Sequence, residues 1–322
     1  MSTETIVPVA TETVIQARGV SKSFAGARVL NELSFAIQRG EMVGLIGASG
    51  SGKSTLIRAL AGLTPIDHDR RQESSEILLF ERPIQRRGRV ARSANGLRVR
   101  VGVIFQQFNL VPRLSVLTNV CLGLLGQMPL IQATFGHFTL DEKRRAMQAL
   151  TRVGIAEHAL KRGCDLSGGQ QQRAAIARAL VQGAEIIIAD EPIASLDPTA
   201  ARRVMDIVAD LNRRDGITVL VSLHQVEYAL RYCPRTIALK AGKIVYDGPS
   251  RALTPDLLSS IYGAESDEIF ALSDPMPPPM LQPAEPGSRS NSAETPAFAE
   301  RERVAPPTPS RQRRPEARRA RA

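Results

Sequence analysis

The sequence has no apolar run approaching the ~20 residues needed to cross a bilayer. Its first 13 residues also lack the basic start and the apolar core of a secretory signal. These absences argue against a membrane-spanning or secreted chain and predict one that is soluble and cytosolic. Hydrophobic residues make up 43% of the 322 residues, enough to bury the core of one large α/β domain or two smaller ones.

Cysteine is scarce, and its placement excludes two kinds of framework. Cys121, Cys164 and Cys233 are isolated in the sequence and odd in number. Their spacing matches neither metal ligands nor a set of disulfides. We therefore predict that all three are reduced thiols.

The net charge of +10 does not by itself select a partner. Residues 264–322 contain nine Arg and nine acidic residues, so the positive excess lies in the first 263 residues. It is compatible with an anionic membrane surface, with a nucleotide or with nucleic acid. An arginine-rich stretch within the irregular region 64–100 predicts a solvated arm, or a surface facing lipid headgroups or an acidic partner. Its members are Arg82, Arg86, Arg87, Arg89, Arg92, Arg98 and Arg100.

A glycine- and serine-rich segment lies between a strand-like apolar run, Met42 to Ile46, and a helix-forming run, Leu56 to Leu63. Glycines allow backbone N–H groups to surround phosphate oxygens, and the helix N-terminus adds its positive end. Lys53 would reach the β- and γ-phosphates, and Ser54 offers a hydroxyl to Mg²⁺. A plain flexible turn can also be rich in glycine and serine, but it does not need a strand before it and a helix after it. The segment predicts a phosphate-binding P-loop formed by Gly47, Ala48, Ser49, Gly50, Ser51, Gly52, Lys53, Ser54 and Thr55.

Two alternating apolar stretches, Thr13 to Val20 and Val29 to Ile37, predict strands on the N-terminal side of the P-loop. Ser21 to Gly26 is predicted to be the turn between them. Its single aromatic residue, Phe24, either packs in the core or presents its ring to a nucleotide base.

A further apolar strand, Val101 to Phe105, ends at Gln106 and is followed by helical periodicity in Ser115 to Leu125 and Leu140 to Val153. Next comes a second glycine segment before a strong helix-forming run. A serine and two glycines opening a helix form an anion-binding geometry, although an ordinary N-cap has the same pattern. The segment consists of Leu166, Ser167, Gly168, Gly169 and Gln170.

Two strand ends carry the remaining polar candidates. The run from Glu185 to Ala189 predicts a strand buried on both faces, and it leads into Asp190 and Glu191. Adjacent strand residues point opposite ways, so one acid can hold Mg²⁺ while the other faces the attacking water. Ile217 to Ser222 is another buried strand, and it places His224 where the γ-phosphate would lie. Thr236 to Val245 predicts a hairpin with Ala241 and Gly242 in its turn.

The composition changes near Ala264, since eleven of the 21 prolines fall in the last 59 residues. Such a segment cannot offset its ordering entropy by apolar burial, so residues 264–322 are predicted to be a disordered, Pro- and Arg-rich tail. Residues 1–13 are predicted to be a flexible N-terminus.

From about Val14 to Tyr262 the sequence resembles an ABC-transporter ATP-binding subunit. The resemblance rests on five elements in order: the P-loop, Gln106, the segment Leu166 to Gln170, the pair Asp190-Glu191, and His224. It implies an α/β P-loop NTPase core with a parallel sheet flanked by helices. It also implies an antiparallel β subdomain and a helical subdomain inserted at roughly 107–180, within a domain covering 14–263.

The family resemblance also implies roles for the site residues. Two copies would enclose two ATP molecules, with Ser167, Gly168, Gly169 and Gln170 of one copy closing over ATP on the P-loop of the other. Asp190, Ser54 and Gln106 would belong to the Mg²⁺ shell. Glu191 would polarise the attacking water, and His224 would contact the γ-phosphate. Asp197 would lie across the dimer interface, and Phe24 would stack on the adenine.

Three stretches resemble importer ATPases for phosphonates in particular: Ile104 to Val111, Ile193 to Pro198, and Leu223 to Cys233. The implied partners are a second copy, two membrane permeases and a periplasmic binding protein, at the cytoplasmic face of the inner membrane. A polar amino-acid or other oxyanion importer is an alternative. A soluble ABC ATPase acting on ribosomes or DNA is another, but such proteins usually carry two ATPase domains or large zinc-bearing insertions. No nucleic-acid partner is therefore expected.

Overall fold

A computed structural model of the chain describes residues 12–68, 75–92 and 94–263. The predicted tail, 264–322, and residues 1–11 of the predicted flexible N-terminus lie outside them. The strands are β1 (Thr13–Phe24), β2 (Ala27–Gln38), β3 (Met42–Ile46), β4 (Glu76–Leu79), β5 (Arg82–Arg86), β6 (Arg89–Val90), β7 (Val101–Ile104), β8 (Ile186–Asp190), β9 (Thr218–Ser222), β10 (Arg235–Lys240) and β11 (Lys243–Pro249).

The strands of the described residues form two sheets. The six-stranded sheet has the order β11-β10-β3-β9-β8-β7, with β11 antiparallel to β10 and the other neighbours parallel. The five-stranded sheet has the order β2-β1-β4-β5-β6 and is antiparallel. A parallel sheet places all its carboxyl strand ends at one edge, so the segments after β3, β8 and β9 meet there.

The helices fall into two groups, on either side of β8 in the chain. The later group begins with the helix Pro198–Asp215, which the Asp197 side chain caps at its N-terminus. Helices α3 to α6 lie within residues 116–181, in the stretch where the sequence predicts a helical insertion. The helices are α1 (Lys53–Leu60), α2 (Ala94–Arg98), α3 (Val116–Cys121), α4 (Leu130–Phe135), α5 (Leu140–Arg152), α6 (Gly168–Val181), α7 (Pro198–Asp215), α8 (Val226–Tyr232) and α9 (Pro255–Tyr262).

Alternate residues of the central strands belong to two different hydrophobic clusters. In β8, Ile187 and Ala189 pack with α6 and α7, whereas Ile186 and Ile188 pack on the side of α1 and the five-stranded sheet. All four are fully buried. Burying one large aliphatic side chain contributes about 1.5–3 kcal/mol, and burial on both faces explains why the strand has no polar alternation. The predicted α/β class with a parallel central sheet is confirmed.

Two local predictions are wrong. Ser21 to Phe24 continue strand β1, and only Ala25 and Gly26, both at positive φ, form the turn. Glu32 N–H donates to Ser21 Oγ, which ties this end of β1 to β2.

The arginine-rich stretch is also more ordered than a solvated arm, because it contains β5, β6 and α2. Buried Gln85 explains the order. Its amide accepts from the Ile66 N–H and donates to the carbonyl oxygens of Ala59 and Thr64, so it joins β5 to the end of α1.

The cysteines are free thiols. Burial raises the pKa of Cys121 to about 11 and that of Cys233 to about 12. No helix in the described part of the chain has the length and apolarity to cross a membrane.

Candidate active site

The loop from Gly47 to Thr55 connects β3 to α1, and two of its glycines have no room for a side chain. Gly47 has φ 147°, and a Cβ there would clash with the Leu239 carbonyl oxygen. Gly52 has φ 105°, and its Cβ would lie 2.8 Å from Leu30 Cδ2 and 2.9 Å from the Val29 carbonyl oxygen. Both positions therefore require glycine on two grounds, backbone conformation and close packing.

Neighbouring elements hold this loop from outside. The Gly242 N–H, in the β10–β11 turn, donates to the Ser51 carbonyl oxygen at 3.1 Å. The Gly47 N–H donates to the hydroxyl of Tyr262, the last residue of α9, at 3.3 Å. The loop conformation thus depends on tertiary contacts as well as on its glycines.

Lys53 is buried at the start of α1 and turns back over the loop. Its Nζ donates to the carbonyl oxygens of Gly47 at 2.7 Å and Ala48 at 3.3 Å. The same Nζ is 3.8 Å from Glu191 Oε1, and the two side chains are only 4% and 20% exposed. A buried ammonium next to the P-loop amides favours an anionic ligand.

Asp190, at the end of β8, accepts two hydroxyl hydrogen bonds. Ser54 Oγ donates to Asp190 Oδ1 at 3.0 Å, and Ser222 Oγ donates to the same oxygen at 3.0 Å. Asp190 is paired with Ser222 in the β8–β9 register, and both are buried. Acid, P-loop hydroxyl and β9 hydroxyl therefore meet at the carboxyl edge of the sheet.

Glu191 lies just past the end of β8 and has φ 46°. Its N–H donates to Ser222 Oγ at 2.9 Å. The expectation that strand alternation points Asp190 and Glu191 in opposite directions is therefore wrong. The backbone turns into the left-handed region at Glu191, which costs roughly 1–2 kcal/mol for a non-glycine residue, and both carboxylates face the P-loop, Asp190 at Ser54 and Glu191 at Lys53.

The second glycine segment starts α6 as a capping box. Ser167 Oγ accepts from the Gln170 N–H at 3.4 Å, and Gln170 Oε1 accepts from the Ser167 N–H at 2.9 Å. A Cβ at Gly169 would lie 2.8 Å from Ala200 Cβ, and one at Gly168 would lie 3.2 Å from Leu196 Cδ2. The segment therefore packs against the start of α7 and the turn before it.

Gln106 and the loop that follows it lie after the end of β7. Gln106 is exposed after β7 and lines a cleft of about 550 Å³ with Phe108, Gln171 and Ser195. The loop after Gln106 is held by Arg178, which donates to the carbonyl oxygens of Asn109 at 2.7 Å and Phe108 at 3.4 Å. Burial lowers the pKa of this arginine.

Three other predicted site residues remain accessible or carry a structural contact. His224 is exposed and lies two residues after the end of β9. Asp197 Oδ1 accepts from the Thr199 and Ala200 N–H groups at 3.0 Å each, as the N-cap of α7. Phe24 is 49% exposed, with Lys22 Nζ 5.2 Å from its ring centroid.

The structure thus brings Lys53, Ser54, Asp190 and Glu191 into one group. Ser167 to Gln170 have a separate set of neighbours on α7 and in the turn at His158. Sequence reasoning missed Ser222 and Tyr262. A lone serine ending an all-apolar strand beside the acid pair was a usable signal for Ser222, whereas nothing local indicates Tyr262.

The family model described as ABC transporter matches residues 30–194. The chain is 58% identical over 260 residues to the phosphonates import ATP-binding protein PhnC of Stutzerimonas stutzeri, covering 81% of this chain and 93% of that protein. It is 55% identical to the protein of the same name from Paraburkholderia xenovorans, covering 80% and 84% of the two chains.

A solved structure with the same architecture is the dimeric post-hydrolysis state of the ATP-binding cassette MJ0796 bound to ADP and Pi. It superposes with a TM-score of 0.62 at 31% identity and covers 74% of this chain and 100% of that one. The fold is therefore that of the ABC ATPase cassettes, as the sequence predicts. The chain belongs to the ABC transporter family.

Proposed function

We propose that the chain is the ATP-hydrolysing subunit of an importer for phosphonates. The observation that carries the hydrolytic role is the group formed by Lys53, Ser54, Asp190 and Glu191 beside the P-loop. The cargo rests on relatives that are identical to this chain at more than half of the aligned residues and are named for phosphonate import.

ATP would bind with its phosphates on the backbone N–H groups of the P-loop. The Lys53 ammonium now donates to two loop carbonyl oxygens, and phosphate oxygens would provide stronger, charged acceptors in their place. Phe24, half exposed, offers its ring face to the adenine. The proposed ligands of the triphosphate include Gly47, Ser49, Gly50, Ser51, Gly52, Lys53, Ser54 and Thr55.

The donor set beside the P-loop suits Mg²⁺, which prefers oxygen ligands and keeps several waters. Ser54 Oγ and Asp190 Oδ1 lie 3.0 Å apart and supply a hydroxyl and a carboxylate oxygen. Gln106 would add an amide oxygen from the loop after β7. When bound, the ion would neutralise charge on the β- and γ-phosphates.

Glu191 would act as the general base for the attacking water. Its N–H is held by Ser222 and its carboxylate faces the Lys53 ammonium at 3.8 Å, so its position is defined before substrate binds. Catalysis would then consist of orienting a water and stabilising the transferring phosphoryl group. His224 would contact the γ-phosphate from the end of β9.

Completion of the site would require a second copy. Ser167, Gly168, Gly169 and Gln170 of one copy would close over ATP bound to the other, with Asp197 at the same interface. This arrangement gives the second glycine segment a ligand. Two permeases and a periplasmic binding protein at the cytoplasmic face of the inner membrane would complete the proposed transporter.

Growth of a deletion strain on methylphosphonate or 2-aminoethylphosphonate as sole phosphorus source tests the proposal. We expect growth to be lost and to be restored by the wild-type chain but not by Glu191→Gln. Growth on inorganic phosphate serves as the control. Unimpaired growth on both phosphonates, in a strain without another uptake system, would contradict the cargo. It would leave the ATPase role to be decided by phosphate release from purified protein.

A further inference from the structure

The side chain of His158 contacts the glycine segment at the start of α6. His158 ends the short turn Ala156–His158, and its Nε2 lies 2.8 Å from Nε2 of Gln170. The histidine side chain is 16% exposed, and its Nδ1 is buried without a hydrogen-bond partner in the described part of the chain. Gln170 in turn caps the Ser167 N–H, so the imidazole directly contacts the last residue of the segment proposed to close over ATP.

The capping box determines which atom donates in this contact. The Ser167 N–H donates to Gln170 Oε1 at 2.9 Å, which fixes the amide with its oxygen toward Ser167. The amide NH₂ then faces His158, and an NH₂ group can only donate. His158 Nε2 must therefore be the unprotonated acceptor, with the ring proton on Nδ1.

A competing partner is available to the same nitrogen. Glu157 Oε1 lies 3.5 Å from His158 Nε2. A protonated ring would set its N–H against the Gln170 NH₂, and it would form an ion pair with Glu157. Protonation thus replaces the contact with Gln170, which belongs to the glycine segment, by a contact with Glu157, which does not.

Three cations lie near this turn. Arg173, on α6, donates to the Gly154 carbonyl oxygen at 2.7 Å, and Arg203, on α7, also lies beside Gly154. Lys161 follows His158 in the chain and is exposed. None of these three can accept a hydrogen bond from the protonated ring, and Glu157 supplies the carboxylate within 4 Å of His158 Nε2 among the described residues.

We propose that His158 is a positioning residue for Ser167 to Gln170 and makes ATP-driven pairing of two copies depend on the protonation of its imidazole. This inference rests on the proposed function, in which that segment closes over ATP bound to the second copy. The neutral ring holds Gln170, and Gln170 holds the Ser167 N–H. The protonated ring releases Gln170, so the segment loses its fixed geometry and the paired state weakens.

The test measures ATP-dependent dimerisation of the full chain carrying Glu191→Gln, by sedimentation between about pH 5 and 8, where histidines ordinarily titrate. In that background, His158→Gln supplies an acceptor that does not titrate, and His158→Phe removes the acceptor but keeps a ring. The matched control is His137→Gln, an exposed histidine on the loop before α5.

We expect acidification from about pH 8 to about pH 5 to lower dimer affinity about three- to tenfold more when His158 is present than in His158→Gln. His224 is present in both proteins, so any contribution from it is common to the two measurements. His158→Phe should be weaker than both at the alkaline end, and His137→Gln should follow the parent. Identical pH profiles for His158 and His158→Gln would overturn the proposal.

The tautomer gives an independent readout that does not depend on dimerisation. Nitrogen chemical shifts of the His158 ring at alkaline pH should show the proton on Nδ1, and a proton on Nε2 would contradict the assignment.

If the wild-type chain neither binds nor hydrolyses ATP at any pH, the proposed function fails and this inference fails with it. If the chain hydrolyses ATP and His158→Gln leaves the pH profile of hydrolysis unchanged, the inference is contradicted and the proposed function is not.

Discussion

Ser222 Oγ joins the two candidate acids, since it lies 3.0 Å from Asp190 Oδ1 and 2.9 Å from the Glu191 backbone nitrogen. One hydroxyl from β9 therefore donates to the acid proposed to hold Mg²⁺ and accepts from the residue proposed as the base. The register pair Asp190–Ser222 makes this possible, because the two strand ends meet there.

Ser222→Ala should lower kcat about 10- to 100-fold with a smaller change in KM, because both acids lose a fixed orientation while the P-loop is unchanged. Ser222→Thr keeps the hydroxyl and suits a strand, so it should recover most of the rate. Steady-state phosphate release measures both. Equal rates for Ser222→Ala and wild type would rule out the positioning role.

Glu191→Gln should keep ATP binding and lose turnover by about 10²- to 10⁴-fold, the range ordinarily contributed by a general base. The amide retains the shape of the side chain but cannot accept a proton from water. Fluorescent-nucleotide titration and phosphate release, measured on the same preparation, separate the two effects. Wild-type-like hydrolysis in this variant would refute the assigned role.

Gly47→Ala should destabilise the protein far more than Gly50→Ala. Both glycines have positive φ, so both substitutions introduce backbone strain, but only the Cβ at residue 47 meets another atom, the Leu239 carbonyl oxygen. We expect a difference of about 1–3 kcal/mol in the free energy of unfolding. Thermal denaturation without nucleotide measures it, so that loss of ligand binding does not contribute. Equal destabilisation would mean that the loop shifts freely at residue 47.

An ion-pair network should make stability fall with acidification. Arg100 and then Arg39 hydrogen-bond to Glu185 and hold the pKa of that carboxyl below its ordinary range, and a hydrogen bond from Arg39 does the same for Glu12. The Arg100 guanidinium also lies 3.5 Å from the centroid of the Phe80 ring, which adds a cation–π contact.

Because these carboxyl pKa values are lowered on folding, their contribution is complete above the ordinary glutamate pKa, about 4.3, and is lost as pH falls through the lowered values. Glu185→Gln should reduce the loss of melting temperature on acidification. Solvent screening limits its cost at neutral pH to about 1 kcal/mol or less. Unchanged acid sensitivity in that variant would assign the effect to other carboxylates.

Much of this architecture could be predicted from local patterns, and the exceptions have tertiary causes. The run Ile186 to Ala189 predicts a central strand because both of its faces are buried, and the P-loop follows from its fixed spacing. Ser222 stands out in the sequence as a lone serine ending an apolar strand, but its role depends on partners at the end of β8, which is remote in sequence. The order of β5 depends on Gln85 and its contacts with α1, and sequence patterning carries no sign of such contacts.

The alternation of β8 between two hydrophobic clusters also limits how the chain can change in length. Inserting or deleting one residue within Ile186–Asp190 would move the later side chains of this strand to the opposite face, so that they enter the other cluster and Asp190 turns away from Ser54. The Ala25–Gly26 turn joins β1 to the edge strand β2, so a residue added there would leave the parallel pairings unchanged. Insertions and deletions among related chains should therefore occur mainly at turns and be rare in the central strands, even where those strands tolerate substitutions.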